Sequence, residues 1–209
     1  MRETENLRPE EIEARSFEII GGLLGERPPD PEHEHIIRRV IHTTADFDYV
    51  NSLYFSPEAG NRIRRALREG ASVVTDTRMA QSGINRKALG GYGGEVHCFI
   101  GEEDTAREAR SRGVTRAAVS MEMACSLEGP LVFAIGNAPT ALIRLKELIE
   151  EGRIRPAGII AVPVGFVNVV ESKEQILSLE GIPLIVARGR KGGSNVAAAI
   201  VKAILYSKD

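Results

Sequence analysis

The first third of the chain places its apolar residues at helical spacing. Residues 8–24 combine Pro9 and two glutamates in a first turn with an apolar face, which predicts a helix over 8–24. Glycine and proline at 25–31 predict a turn. One apolar stripe then predicts a second helix ending near His42; it consists of Ile36, Ile37, Val40 and Ile41.

A third helix is predicted before residue 71, after a segment that is rich in aromatic residues. Residues 46–57 contain four aromatic side chains, and no helix or strand is assigned to them. Ser56 as N-cap and Pro57 at the first position predict that the helix starts there and ends at Gly70. The first 70 residues are therefore predicted to be a helical part of the molecule.

From residue 71 onward the pattern changes to short apolar runs that alternate with helical stretches. Five runs predict strands: Ser72–Thr75, Glu95–Ile100, Leu131–Ile135, Gly158–Val162 and Pro183–Ala187. This alternation predicts an α/β fold, with a mostly parallel five-stranded sheet and helices on both faces in a Rossmann-like three-layer arrangement. No linker or repeat interrupts it, so residues 1–209 are predicted to be one domain, with a helical part (1–70) beside an α/β core (71–209).

Composition narrows the class of protein. Hydrophobic residues make up 43% and charged residues 27%, the profile of a soluble globular protein. The N-terminus is polar, and no apolar run reaches the ~18 residues of a membrane span. A net charge of -2 does not indicate binding to nucleic acid or to a membrane. Cys98 and Cys125 form no CxxC pair, so we expect a reducing compartment, by default the cytoplasm.

His42 is the first candidate for chemistry. It follows an apolar helix stripe and precedes two hydroxyls and Asp46. Histidine has an unperturbed pKa of about 6.5, so it can give or take a proton near neutrality. The alternative is a histidine that complements the dipole at the helix C-terminus, and the residues alone leave both open.

Three loops that follow predicted strands are candidates for ligand binding. In open α/β sheets, ligands bind beyond the carboxyl ends of the strands. Gly136-Asn137-Ala138-Pro139-Thr140 is predicted to present free backbone N–H groups, with Asn137 as cap, and such a helix terminus can hold an anion. Arg188-Gly189-Arg190-Lys191-Gly192-Gly193-Ser194 has the residues of an anion cradle but is not a P-loop. Asp76 follows the first strand and is predicted to point into the same cleft.

Each loop also has a structural interpretation that the sequence leaves open. The first could be an ordinary helix cap, the second a surface turn, and Asp76 a cap for the segment that follows it. A metal site is not predicted. His35 and His42 lie seven residues apart on one helix face, but there is no HExxH motif among the four histidines.

Several segments together resemble the precorrin-8X methylmutase family, which also acts as cobalt-precorrin-8 methylmutase. They are Glu13–Phe17, Arg39–His42, Gly136–Leu142, Pro163–Val167 with Glu171–Lys173, and Arg188–Ser194. The similarity runs nearly end to end. The order of GNAPTAL, PVGFV with ESK, and GRxGGS is specific, whereas each piece alone would be weak.

The resemblance implies an α/β parallel-sheet fold and an isomerase of cobalamin biosynthesis. A methyl group would move from C-11 to C-12 of a tetrapyrrole, giving hydrogenobyrinate or its cobalt analogue cobyrinate, with no cofactor. His42 matches the family histidine that protonates or hydrogen-bonds the ring C nitrogen. Arg116 and Ser16 match family residues expected near the substrate. A homodimer is also implied.

The same resemblance gives the loops a reason to bind carboxylates, because the substrate carries many of them. The expected substrate-binding residues are Ser16, Asp76, Arg116, Gly136, Asn137, Ala138, Thr140, Arg188, Gly192, Gly193 and Ser194. Residues 43–46 depart from members that carry Ala-Cys-Gly after the histidine, which leaves open whether the substrate contains cobalt. A non-catalytic tetrapyrrole carrier and a phosphate-binding enzyme using Arg188–Ser194 are the alternatives.

Overall fold

A computed structural model describes residues 7–25 and 30–207 of the chain. The eleven α-helices of these residues are α1 Pro9–Leu24, α2 Glu34–Thr44, α3 Tyr49–Ser52, α4 Ala59–Arg68, α5 Arg78–Gly83, α6 Arg86–Gly90, α7 Glu103–Arg112, α8 Arg116–Met123, α9 Pro139–Glu150, α10 Val169–Leu177 and α11 Ser194–Tyr206. The strands are β1 Leu53–Phe55, β2 Ser72–Thr75, β3 Val96–His97, β4 Leu131–Ile135, β5 Gly158–Ala161 and β6 Leu184–Ala187. Most of the predicted turn at 25–31, and the N-terminal residues 1–6, lie outside the described residues.

The described residues form a mixed sheet of six strands in the order β1-β6-β5-β4-β2-β3. Five strands are parallel, and β1 is antiparallel to β6 at one edge. The sheet was predicted to have five strands but has six, because β1 was not predicted. The mainly parallel α/β class is confirmed.

The additional strand β1 also explains why Ser56 is not the N-cap that was predicted for the third helix. Ser56 does not cap a helix, because its hydroxyl accepts a hydrogen bond from the Leu184 N–H at 2.9 Å. Its own N–H donates to the Leu184 carbonyl, also at 2.9 Å, so Ser56 extends the ladder between β1 and β6. The helix α4 begins later, at Ala59, with Glu58 as its N-cap. The Ser56 hydroxyl can either cap a helix or bond to a neighbouring strand, and only the position of β6 decides between these two roles.

Alternate residues of the strands face two separate hydrophobic cores. On one face, Val132, Ala134 and Ile160 pack with side chains of α2, α4 and α11. On the other face, Phe133, Ile135 and Ile159 pack with side chains of α8, α9 and α10. Because successive residues of a strand point to opposite faces, this alternation places helices on both sides of the sheet.

The order of the parallel strands locates the edge at which a ligand would bind. Numbered among themselves, the parallel strands have the order 2-1-3-4-5, which is the flavodoxin-type order and differs from the six-strand order of a dinucleotide-binding Rossmann sheet. The order reverses between β2 and β4. The loops after these two strands, which contain Asp76 and Gly136, therefore leave the sheet in opposite directions and flank a crevice.

Candidate active site

His42 lies in the last turn of α2, which ends in a left-handed Ala45. Its ring is exposed to solvent and stacks on Phe17 of α1, with 5.2 Å between centroids and 16° between ring planes. The apolar stripe beneath it is buried, so the helix is fixed by its core contacts while the ring faces outward; the stripe consists of Ile36, Ile37, Val40 and Ile41. The predicted position of His42 at the end of an apolar helix is confirmed.

The His42 ring lines an open cavity of about 300 Å³ between α1 and α2. Ser16 lines the same cavity, together with apolar side chains that include Ile19, Leu23 and Phe47. The Ser16 hydroxyl donates to the Ile12 carbonyl at 2.8 Å, and its lone pairs remain able to accept a bond. The structure thus brings two of the predicted site residues together.

An ion pair connects the end of α2 with the carboxyl edge of the sheet. The Lys191 ammonium lies 2.6 Å from a carboxylate oxygen of Asp46 and 2.6 Å from one of Asp48. Lys191 belongs to the loop that leaves β6 at that edge, whereas Asp46 follows α2. His42 therefore lies at the same edge of the sheet as the predicted binding loops.

Asp76 occupies the place that was predicted for a ligand carboxylate. Its buried carboxylate accepts hydrogen bonds from the N–H groups of Gly136 (2.9 Å), Asn137 (2.8 Å) and Ala138 (2.6 Å). Burial raises the pKa of Asp76, although these three N–H groups act in the opposite direction. The free N–H groups predicted for this loop are thus already bonded within the protein.

The cap of α9 also differs from the prediction. Ala138, and not Asn137, is the N-cap residue, and its side chain has no hydrogen-bonding group. Asp76 supplies the missing acceptor from a distant part of the sequence. A capping residue is normally sought next to its helix, so sequence spacing could not identify this one.

The glycines of the two loops allow the backbones to meet. A Cβ added to Gly136 would lie 2.6 Å from the Ser194 Cα and 2.7 Å from the Gly193 carbonyl oxygen. A Cβ on Gly192 would lie 2.1 Å from the Val162 carbonyl oxygen. The Gly193 N–H donates to that same carbonyl at 2.9 Å. These glycines thus provide close packing of the loops after β4, β5 and β6.

The remaining predicted residues lie around this edge. Ser194 shares a hydrogen bond of 2.7 Å with the Thr77 hydroxyl, directly after Asp76. Thr140, in the first turn of α9, accepts from the Thr115 hydroxyl at 2.8 Å. Arg116 follows Thr115 as the exposed first residue of α8, so it lies at the same edge but on the opposite face of the sheet from His42. Arg188 lies over the Tyr54 ring, 4.9 Å from its centroid.

Lys173, which the sequence presents only as part of the ESK segment and not as a predicted site residue, also lies in this region. It is 1% exposed, and its ammonium donates to the carbonyls of Gly189 (2.8 Å) and Lys191 (2.9 Å). One signal could have revealed it: Lys173 falls between Val169 and Ile176 on the apolar stripe of α10, where a cation requires a special partner.

The described residues contain neither a metal-binding group nor a membrane-spanning helix. Within 7–25 and 30–207, no three His, Cys, Asp or Glu side chains form a group that could hold a metal ion. None of the helices in these ranges is both long and apolar enough to cross a membrane. The buried His33 has a structural role, since it bonds Asp30, accepts from the Gly60 N–H and stacks on Phe55.

Comparison with known proteins gives consistent results over nearly the whole chain. The family model described as precorrin-8X methylmutase matches residues 11–207. A protein of Salmonella typhimurium named cobalt-precorrin-8 methylmutase is 47% identical over 205 residues, which cover 95% of each chain. A protein of Pseudomonas aeruginosa named precorrin-8X methylmutase is 42% identical, over 84% of this chain and 85% of its own.

A solved structure agrees at the level of the fold. The precorrin-8X methylmutase of Thermus thermophilus superposes with a TM-score of 0.82 at 36% identity, covering 93% of this chain and 96% of that one. The match in sequence and the match in structure both extend over the loops and helices described above. The chain belongs to the precorrin-8X methylmutase family.

Proposed function

We propose that this protein isomerises precorrin-8X or cobalt-precorrin-8 in cobalamin biosynthesis, with His42 as the general acid. The methyl group moves from C-11 to C-12 and gives hydrogenobyrinate or cobyrinate. Family membership supplies the reaction class. The observation that supports the role of His42 is its exposed ring, held against Phe17 on the wall of a cavity that also contains Ser16.

The proposed step conserves atoms and electrons within the substrate. His42 donates a proton or a hydrogen bond to the ring C nitrogen and thereby draws electron density toward that ring. The bond from C-11 to the methyl carbon breaks as the bond to C-12 forms, and the proton returns to His42. No electron acceptor is required, because the shift is an isomerisation. The stacked Phe17 restricts the orientation of the imidazole.

The substrate carboxylates require cations or N–H groups that are not already bonded within the protein. Since Asp76 engages the amides of Gly136, Asn137 and Ala138, we infer that it orders the loop and does not itself bind substrate. Arg116 and Arg188, both exposed at the carboxyl edge, are the proposed carboxylate ligands. Guanidinium groups suit this role because they bind carboxylates with two parallel hydrogen bonds.

Incubation with precorrin-8X and with cobalt-precorrin-8, followed by absorbance and mass, tests the activity. An isomerase changes the spectrum with time while the mass stays constant. A carrier only shifts the spectrum on binding, and a phosphate-binding enzyme leaves the spectrum unchanged. A static spectrum with both substrates would reject the proposed reaction, and comparison of the two rates decides which form is preferred.

His42→Asn and His42→Ala test the acid. Loss of a general acid typically costs about 10² to 10⁴ in rate, so turnover should fall by this factor while hydrogenobyrinate still binds. His35→Asn is the matched control, since His35 is exposed on the same helix and lines a different cavity. Turnover at the parental rate in either His42 variant would assign His42 a purely structural role. Loss of product binding together with turnover would make the role positional.

The proposal extends to assembly and location. The resemblance implies a homodimer, and the two free cysteines, Cys98 and Cys125, favour a reducing compartment, by default the cytoplasm. Both are expectations for the intact protein. The tetrapyrrole is its only proposed ligand.

A further inference from the structure

We propose that Lys173 is a positioning residue for the proposed reaction, because its buried ammonium fixes the loop of residues 188–193 in the shape that presents Arg188 to the substrate. This inference rests on the proposed function and extends it to a residue that does not touch the substrate. It concerns how the binding loop is held, while the chemistry stays with His42.

The partners of Lys173 are backbone carbonyls of this loop. Its ammonium donates to the carbonyls of Gly189 at 2.8 Å and of Lys191 at 2.9 Å. No ion pair joins Lys173 to any carboxylate within residues 7–25 and 30–207. A methionine of similar length could be buried there without desolvating a charge, but it would leave both carbonyls without this donor. The stabilising contacts of the ammonium therefore act on the loop.

The carbonyl between these two is held as well. The Arg190 carbonyl accepts from the Gly165 N–H at 3.2 Å, in the loop after β5. Three consecutive carbonyls, of residues 189–191, are thus bonded to the body of the protein. The exposed side chains of Arg188 and Arg190 are carried on this bonded backbone. The loop is held by its main chain, which leaves these guanidinium groups available to a ligand.

The same loop connects to the end of α2. The Lys191 side chain forms ion pairs with Asp46 and Asp48 at 2.6 Å each, while the Lys191 carbonyl accepts from Lys173. Asp46 lies four residues after His42. The ammonium of Lys173 therefore supports a chain of contacts that runs from α10 through the loop to the helix end carrying His42. Burial lowers the pKa of Lys173 to about 8, which is consistent with an enclosed cation.

Lys173→Met removes the donor and keeps the chain length, and trypsin then reports on the loop. We expect cleavage after Arg188, Arg190 or Lys191 to become at least about tenfold faster, because charge-assisted hydrogen bonds are the stronger kind. Lys173→Arg, which keeps a cation with several donors, should restore part of the protection. Lys146→Met is the matched control, since Lys146 pairs with Glu150 on the neighbouring helix α9 and does not contact this loop. Unchanged cleavage in Lys173→Met would overturn the inference.

A kinetic measurement separates positioning from simple stability. In Lys173→Met, the KM for substrate and the Kd for hydrogenobyrinate should rise at least about tenfold, while kcat falls by less than about threefold, since the acid is untouched. If kcat and thermal stability both fell in Lys173→Met while the Kd for hydrogenobyrinate stayed unchanged, Lys173 would be merely structural and the proposal would be rejected. If the methionine variant does not fold, Lys173→Leu, which also lacks a donor, takes its place with the same expectations.

The outcomes distinguish this inference from the proposed function. If the parent chain isomerises neither substrate, the proposed function fails, while the trypsin result still decides whether Lys173 orders the loop. If the parent chain is active and Lys173→Met equals it in Kd and cleavage, only the inference fails. Protection of the loop by hydrogenobyrinate in the parent protein adds a test that needs no variant: an unprotected loop would show that Arg188 is not at the substrate.

Discussion

At the residue scale, Arg116 and His42 are expected to contribute to different kinetic constants. A carboxylate ligand takes no part in the methyl shift, so its loss removes binding that the ground state and the transition state share. Arg116→Ala should therefore raise KM, by about tenfold or more, with a smaller decrease in kcat. Steady-state kinetics on both substrates measures this. Arg110→Ala, in the last turn of α7, is the control. An unchanged KM with a collapsed kcat would assign Arg116 to the chemistry.

Lys173 should make the stability of the fold depend on alkaline pH. Burial lowers its pKa from 10.5 to about 8. Between these two values the folded chain holds Lys173 neutral while the unfolded chain holds it charged. The contribution of Lys173 to the free energy of unfolding therefore rises with pH across this window. It is complete above pH 10.5 and is lost as the pH falls through 8.

Urea unfolding of the parent and of Lys173→Met at about pH 7 and about pH 10 measures this effect. The free energy of unfolding of the parent minus that of Lys173→Met should be larger at about pH 10 than at about pH 7. The variant provides the control, because all other titrating groups are common to both proteins. The same difference at both pH values would contradict the lowered pKa.

At the scale of elements, the loops after β4 and β6 form one packed unit. Gly136→Ala would place a Cβ 2.6 Å from the Ser194 Cα, which is backbone and cannot rotate away. Overpacking typically costs about 1–3 kcal/mol, so the free energy of unfolding should fall by at least this range. Product binding should weaken as well, because the loop after β6, which packs against Gly136, carries the proposed ligand Arg188.

Gly90→Ala is the control for this substitution. A Cβ on Gly90, at the end of α6, meets nothing within 4 Å. Alanine should therefore be neutral, or stabilising by up to about 1 kcal/mol, since it restricts the unfolded chain. Chemical denaturation measures both variants. Equal stabilities for Gly136→Ala and the parent would mean that the two loops are not in contact as described.

At the scale of the whole molecule, the strand order creates a crevice that a side chain of the protein itself fills. The crevice between β2 and β4, where a doubly wound sheet usually accepts its ligand, is occupied by the Asp76 carboxylate. The proposed site is therefore displaced toward the loop after β6 and the end of α2, where His42 lies. A large substrate would lie across the edge and not within the crevice.

The exposed apolar residues of α1 predict how the whole protein assembles. Ile19 and Leu23 are 46% and 67% exposed beside the His42 cavity, and exposed apolar clusters usually mark an interface. We expect sedimentation at twice the chain mass of 22.7 kDa. Leu23→Asp should shift the mass toward that of one chain, whereas Tyr92→Asp, exposed in another part of the surface, should not. A monomeric parent protein would contradict this prediction.

Sequence periodicity alone determined much of this molecule. Apolar patterns located five of the strands and most helices, because buried faces impose their period on the sequence. The position of His42 followed from the stripe Ile36–Ile41 in front of it. The three-residue strand β1 was missed, since it is too short to show alternation and obtains its partner from β6, more than a hundred residues away.

The tertiary structure decided what the loop residues do. The segment 136–140 has the composition of an anion site, but the anion is Asp76, which is sixty residues distant and was brought there by the parallel pairing of β2 and β4. The sequence places Lys173 on the apolar stripe of α10, but its role depends on two carbonyls that only the folded chain places beside it. Periodicity is a local property that each segment carries, whereas hydrogen-bond partners between distant loops exist only once the sheet has assembled.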